Sequence, residues 1–353
     1  LNDNKELKSS TVSKDEDYLN IVIRPRENNR YADITYFMHS LTDRFKSYNY
    51  NSEIIELDYH YGGQAYVTGA TPALVASEVK VLVMCGLFLM CLILLVNFRN
   101  IPAVSIIISI ISLSLLGMLG FMGWIYNFTK SDIFYFTLNH VSMPIVLLTI
   151  ANSDGVHIVG RFFKELRKLK NSEKAIKETM NHLALPITLT TITTSLAFLT
   201  LIFSPLTGMN GYGIVLAFGI FWAWFLSLTL MPATIALVKW KINSKAINRK
   251  SLLEKSIDKF GLIVIKNPKK VLYPSLLFIG IAIVGITLIN VEVNYIKMFK
   301  KGNIIRDSAL FLDNNMTGNL NLMVNIESDE EGALKNPENL RKIESIEKYL
   351  DSM

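Results

Sequence analysis

The chain has 353 residues, of which 50% are hydrophobic and only 19% charged, against about 25% charged in an ordinary soluble domain. The apolar residues gather in long blocks, which excludes a single soluble enzyme, a nucleic-acid module and a disulfide scaffold. The net charge of +6 points to no nucleic-acid partner, because it concentrates in two short stretches between apolar blocks.

Residues 1–78 carry 8 Lys/Arg against 12 Asp/Glu. They mix short alternating runs, LNIVI at 19–23 and SEIIEL at 52–57, with a helical pattern at 31–46. There Ile34, Phe37, Met38, Leu41 and Phe45 recur at three-to-four spacing. That order predicts a small strand–helix–strand unit outside the membrane. Six apolar blocks follow: Val79–Val96, Ile101–Tyr126, Thr137–Phe163, Pro186–Phe203, Tyr212–Val238 and Val271–Ile289. Each holds about 18 residues or more, enough to cross the ~30 Å hydrocarbon layer as a helix. Cys85 and Cys91 both lie in the first block and read as small apolar residues.

The segments between blocks differ in charge. Arg99 sits after the first block, 161–185 holds 7 basic and 3 acidic residues, and 239–270 holds 10 and 2. The turns 127–136 and 204–211 are balanced or uncharged. The positive-inside rule places 97–100, 161–185 and 239–270 in the cytoplasm, and 1–78, 127–136, 204–211 and 290–353 outside. Both ends are then extracytoplasmic. The stretch 164–183, with Leu166, Leu169, Ile176, Met180 and Leu183 on one stripe, predicts an amphipathic helix along the membrane surface. After the last block, 319–327 predicts a strand, and Asn336–Pro337–Glu338 opens a helix. The chain opens with Leu1, and its end looks like the middle of a helix, so it reads as a fragment of a longer protein.

Asp154, in the third block, is the one acidic residue inside an apolar block. A carboxylate there costs roughly 2.5–3.5 kcal/mol on insertion scales, and such residues mark ion pathways or proton relays. His157 is three residues on, so it shares a face with Asp154 and can exchange a proton with it. Asn152 and Ser153 flank the carboxylate, and Arg161 lies on the same face at the cytoplasmic edge. The fourth block opens PITLTTITTSLAF, in which Thr190 and Thr194 share one helical face and Thr191 and Ser195 the next. Hydroxyls there pack helices closely, or bond the carboxylate and hold water beside it. The relay candidates are therefore Asp154 and His157, supported by Asn152, Ser153, Thr190, Thr191 and Thr194.

These residues carry a resemblance. Asp154, His157, Arg161 and Phe162 resemble the Asp, His and Arg-Phe of the fourth span of the resistance–nodulation–division superfamily of transporters, in its MMPL-like branch of hydrophobe and amphiphile efflux. The stretch SEKAIKETMNHLALPITLTTITTSLAF is similar to that family's amphipathic helix, Pro and Thr-rich span. Tyr212-Gly213 and Met231-Pro232-Ala233 resemble the opening and the ending of its next span, and VNYIKMFKKGNIIRDSALF the start of its second outer domain. Gly155 departs from the family on the small side and leaves the carboxylate open to a neighbouring helix.

The resemblance implies an α-helical polytopic membrane protein. Its six spans would be half of a two-repeat, twelve-helix bundle, with partial α/β ferredoxin-like extracytoplasmic domains at both ends. Residues 1–78 would end the first outer domain, and 79–238 would form a five-helix membrane block. Residues 239–270 would be a basic cytoplasmic linker, 271–290 the sixth span, and 291–353 the start of the second outer domain. The implied function is proton-driven export of hydrophobic or lipid-like molecules across the cytoplasmic membrane. The alternative is a lipid- or sterol-sensing or protein-translocation accessory module that does not pump. No phosphate loop, HExxH motif or pair of membrane carboxylates is present in the sequence. The expected protein is therefore no enzyme and holds no metal or cofactor, with protons as the coupling ion. Its expected partners are the hydrophobic substrate, membrane lipids, and a second copy or accessory envelope proteins.

Overall fold

A computed structural model gives the fold. It describes residues 11–13, 17–23, 31–50, 53–136, 138–240, 252–290, 294, 296–316, 327, 332 and 335–351. In chain order the first elements are α1 (Tyr31–Arg44), β1 (Ser47–Tyr50), β2 (Glu53–Glu56), α2 (Gln64–Phe98) and α3 (Ile101–Thr129). Then come α4 (Met143–Leu169), α5 (Ser172–Leu199), α6 (Thr207–Leu228) and α7 (Leu230–Leu237). The last are α8 (Leu252–Lys266), α9 (Pro268–Ile286), α10 (Ile304–Asn315) and α11 (Pro337–Asp351). Two units result, Leu1–Val67 with Asn294–Met353, and Thr68–Val293.

In the first unit, α1 carries Asp33 in its first turn and Arg44 in its last, each opposing the helix dipole. β1 and β2 form an antiparallel hairpin, with Ser47 opposite Glu56 and Tyr50 opposite Glu53. The order is therefore helix–strand–strand, a correction to the predicted strand–helix–strand. At 19–23 only Leu19 makes a bridge, to Val12, while Ile21, Val22 and Ile23 stay exposed. Alternating β-formers do not make a strand without a partner edge. Rings hold parts of the unit together: Tyr18 meets Phe311 edge-on at 4.9 Å, and His60 stacks on Phe311 at 3.7 Å. The strand predicted at 319–327 lies outside the described residues apart from Glu327. No ferredoxin-like sheet is present among the described residues.

In the second unit, six helical segments of the described residues are long and apolar enough to cross a membrane. The core is built by α3, α4 and α6. On α3 the buried positions Ile107, Ile110, Ile111, Leu115 and Met118 recur at helical spacing. They meet Met143, Leu147, Leu148 and Ile158 of α4 and Val215, Leu216 and Ile220 of α6 in one apolar cluster. α9 buries no residue, and α2 buries few, among them Leu94 and Phe98 near its end. α2 is 35 residues long and starts fifteen residues ahead of the predicted block.

The amphipathic stretch 164–183 is not a separate surface helix. It divides between the end of α4 and the start of α5. Lys170 takes a left-handed backbone (φ 49°) and donates its N–H to Leu166 O at 3.0 Å, which closes α4. Asn171 then accepts from Lys174 N at 2.9 Å and opens α5. α5 runs on through Pro186. Thr229 (φ −111°, ψ −67°) separates α6 from α7, where Pro232 has no N–H to give the Leu228 carbonyl. α8 occupies the second half of the basic linker 239–270. At the linker's start, Trp240 donates to Ile235 O at 2.8 Å and packs against Phe162 and Phe163.

Candidate functional site

α4 and α5 pack side by side and leave a groove of about 490 Å³ between them. Ser153, Asp154 and His157 line it from α4, and Thr190, Thr191 and Thr194 line it from α5. Thr149, whose hydroxyl donates to Ile145 O at 2.9 Å, and apolar Ile150, Leu183, Pro186 and Ile187 complete the wall. Helical spacing explains the convergence. Residues three and four apart stack on one face, so 150, 153, 154 and 157 present one side of α4, and 183, 187, 190, 191 and 194 one side of α5. Asp154 is 9% exposed, and among the described residues no cation pairs with it.

Gly155 makes the close approach of α3 feasible. A Cβ at that position would stand 2.9 Å from Cγ2 of Ile107, nearer than packed carbons come. The absent side chain lets Ile107 of α3 pack close against α4 at the residue after Asp154.

Two of the α5 threonine hydroxyls in the groove are already oriented. Thr190 donates to Ile187 O at 2.9 Å, and Thr194 donates to Thr190 O at 2.6 Å. Their protons are committed to the helix backbone, and their oxygen lone pairs remain to accept. A proton-loaded carboxyl, a water or a hydrated proton in the groove therefore meets acceptors. Thr188, on another side of α5, donates to Ala184 O at 2.7 Å and accepts the Trp224 indole N–H at 2.9 Å. Ser195 reaches Ala217 O of α6 at 3.4 Å. Those two hydroxyls serve packing rather than the groove.

Of the seven site residues expected from sequence, the groove brings six together. Asn152 is the exception: it is half-buried off the groove, and its Oδ1 is buried without a hydrogen-bond partner among the described residues. Arg161 does not reach back to Asp154. Its Nε lies 3.0 Å from Oε1 of Glu165, with Lys168 Nζ 3.5 Å from the same oxygen. The Arg161 contact is ionic, without hydrogen-bond alignment. Glu165 is 4% exposed and is a functional candidate that the charge count hid inside a basic segment. Its spacing, four after Arg161 and three before Lys168, is the signal that could have found it.

A family model described as the MMPL family matches residues 2–260. Membrane protein MJ1562 of Methanocaldococcus jannaschii is 32% identical over 92 residues, covering 26% of this chain and about a quarter, 24%, of that protein's length.

Proposed function

The chain belongs to the MMPL family, and from that premise we propose that it forms the membrane block of an exporter of hydrophobic or lipid-like molecules. The proton gradient across the cytoplasmic membrane drives it, and Asp154 carries the proton. One observation carries this reading: a carboxylate buried between two spans, with no cationic partner among the described residues, faces a groove of oriented hydroxyl acceptors.

The chemistry follows from those groups. When ionised, Asp154 takes a proton from water in the groove. When neutral, it becomes a donor, and the lone pairs of the threonine hydroxyls are within the same groove to receive its O–H. Loss of charge removes the main reason for the groove to hold water, so α4 and α5 close against each other. His157 stands three residues further along α4, about 4.5 Å along the axis, and offers an imidazole to pass the proton towards the cytoplasm. The Glu165 carboxylate keeps Arg161 drawn to the helix end, so no guanidinium neutralises Asp154 permanently. The two charge states of one residue thereby bias two arrangements of the helices. The substrate moves in the outer domains, which α2 and α9 connect to the membrane block.

The test uses cells carrying the full-length gene, and reads accumulation of a hydrophobic dye. Wild type lowers accumulation, and a protonophore abolishes the difference. Asp154→Asn, at matched expression, behaves like empty cells. An Asp154→Asn variant that exports as well as wild type would remove Asp154 from the coupling. A wild type that moves no dye, and whose Asp154→Asn variant keeps any lipid-dependent activity, would favour the sensing or translocation role.

A further inference from the structure

The groove between α4 and α5 presents mainly oxygen acceptors. Thr149, Thr190 and Thr194 have given their protons to carbonyls of their own helices, so only their lone pairs remain to meet a ligand. Pro186, in the wall facing Asp154, has no N–H for the His182 carbonyl one turn back. Two further groups in the groove are nine-tenths or more buried: Asp154 at 9% exposure and Thr191 at 5%. Among the described residues neither side chain makes a hydrogen bond or an ion pair.

A buried charge is costly unless it is paired or coordinates a metal ion. Acceptors do not satisfy an ionised carboxylate, but a cation placed among them satisfies both. The charge balance selects the ion. One carboxylate among neutral oxygens balances one positive charge, and a divalent ion would leave a net charge in a low-dielectric site. Calcium sites gather several carboxylates, and among the described residues no three His, Cys, Asp or Glu gather for a zinc-type site. Backbone carbonyls released from a broken helix coordinate sodium in membrane transporters. The groove, at about 490 Å³, also has room for part of the ion's hydration water.

We propose that the groove is a sodium site. The Asp154 carboxylate, the Thr190, Thr191 and Thr194 oxygens and the His182 carbonyl take one partly hydrated sodium ion. Sodium and a proton cannot both neutralise one carboxylate, so each displaces the other. The site rests on the function proposed above only in that Asp154 ionises in the groove. Few other charges bear on it. His157 lies on the same face of α4, and Arg161 is held at Glu165. α3, α6, α2 from Val81 to Asn97 and α5 from Leu183 onward carry no Asp, Glu, Lys, Arg or His. Protonation of His157 would repel sodium, in the same direction as protonation of Asp154.

The experiment measures binding of radioactive sodium to the purified full-length protein, with choline chloride holding the ionic strength constant. At alkaline pH the wild type is expected to bind sodium that unlabelled sodium chloride displaces and choline chloride does not. Acid releases it: where protons compete, each tenfold rise in their concentration raises the sodium needed for half-occupancy about tenfold. Thr191→Val weakens binding about 2- to 10-fold, and Asp154→Asn at least about tenfold. The comparison across pH uses wild type alone, so it stands if a variant fails to fold. No displaceable sodium at alkaline pH overturns the proposal. So does binding that pH leaves unchanged, or that survives Asp154→Asn at full strength. Dye efflux is read separately. Protonophore-sensitive export by a protein that binds no sodium keeps the proton carrier and removes the sodium site. Sodium binding with these properties by a protein that exports no dye keeps the site and removes the export.

Discussion

The protons of Thr190 and Thr194 are donated to carbonyls of their own helix, so replacing both residues by Val deletes acceptors from the groove without deleting volume. A hydrogen bond is worth about 0.5–1.5 kcal/mol net, so each lost acceptor should slow export about 2- to 10-fold. Dye efflux at matched expression checks this, and an unchanged rate would reduce the hydroxyls to packing groups. Much of the groove is legible at this scale. One acid inside an apolar block, the serine just before it, a histidine three residues on, and three threonines of the next block give six of its residues without a structure. Asn152 misleads because adjacency in sequence is not adjacency on a helix: neighbouring positions point about 100° apart. Glu165 escapes because a charge count weighs a segment, while burial is decided residue by residue.

Helix corners are where the elements of this protein are written most locally. Arg99, Lys130 and Lys170 each take a left-handed backbone at φ 49–51°, a conformation that costs a side-chain-bearing residue roughly 1–2 kcal/mol. Lys170→Gly is therefore expected to stabilise the protein by about 0.5–1 kcal/mol, read as a rise in thermal midpoint in detergent. A fall instead would mean that the Lys170 side chain holds the corner. The spans themselves are plain in the sequence, since apolar blocks of that length have one outcome in a bilayer. What is hidden is their extent. The stripe of Leu166 and Met180 looks like one surface helix because its period continues across the corner at Lys170 and Asn171. Only the cap side chain of Asn171 marks the break. Conversely, the run at 19–23 has the alternation of a strand but lacks an edge to pair with, and a sheet is made by partners, not by propensity.

Across the whole chain, basic and neutral connectors alternate, and that alternation predicts sidedness. A single cysteine at Lys170, in a chain lacking Cys85 and Cys91, should be silent to an impermeant maleimide on intact cells and react after permeabilisation. One at Lys130 should react at once. Labelling of both from outside would overturn the orientation, and with it the proposed direction of proton flow. The joint at Pro186 bears on how such a membrane block moves. Pro186 lines the groove and sits inside α5, yet it has no N–H to offer the carbonyl of His182 one turn back. The wall facing Asp154 is thus one backbone tie short at the height of the groove. It can flex there without breaking anything that was made. In mechanical terms the groove is compliant: altering its width stores little elastic energy beside the cost of changing a buried charge. Under the proposed coupling, a single proton is then a sufficient load to work the wall.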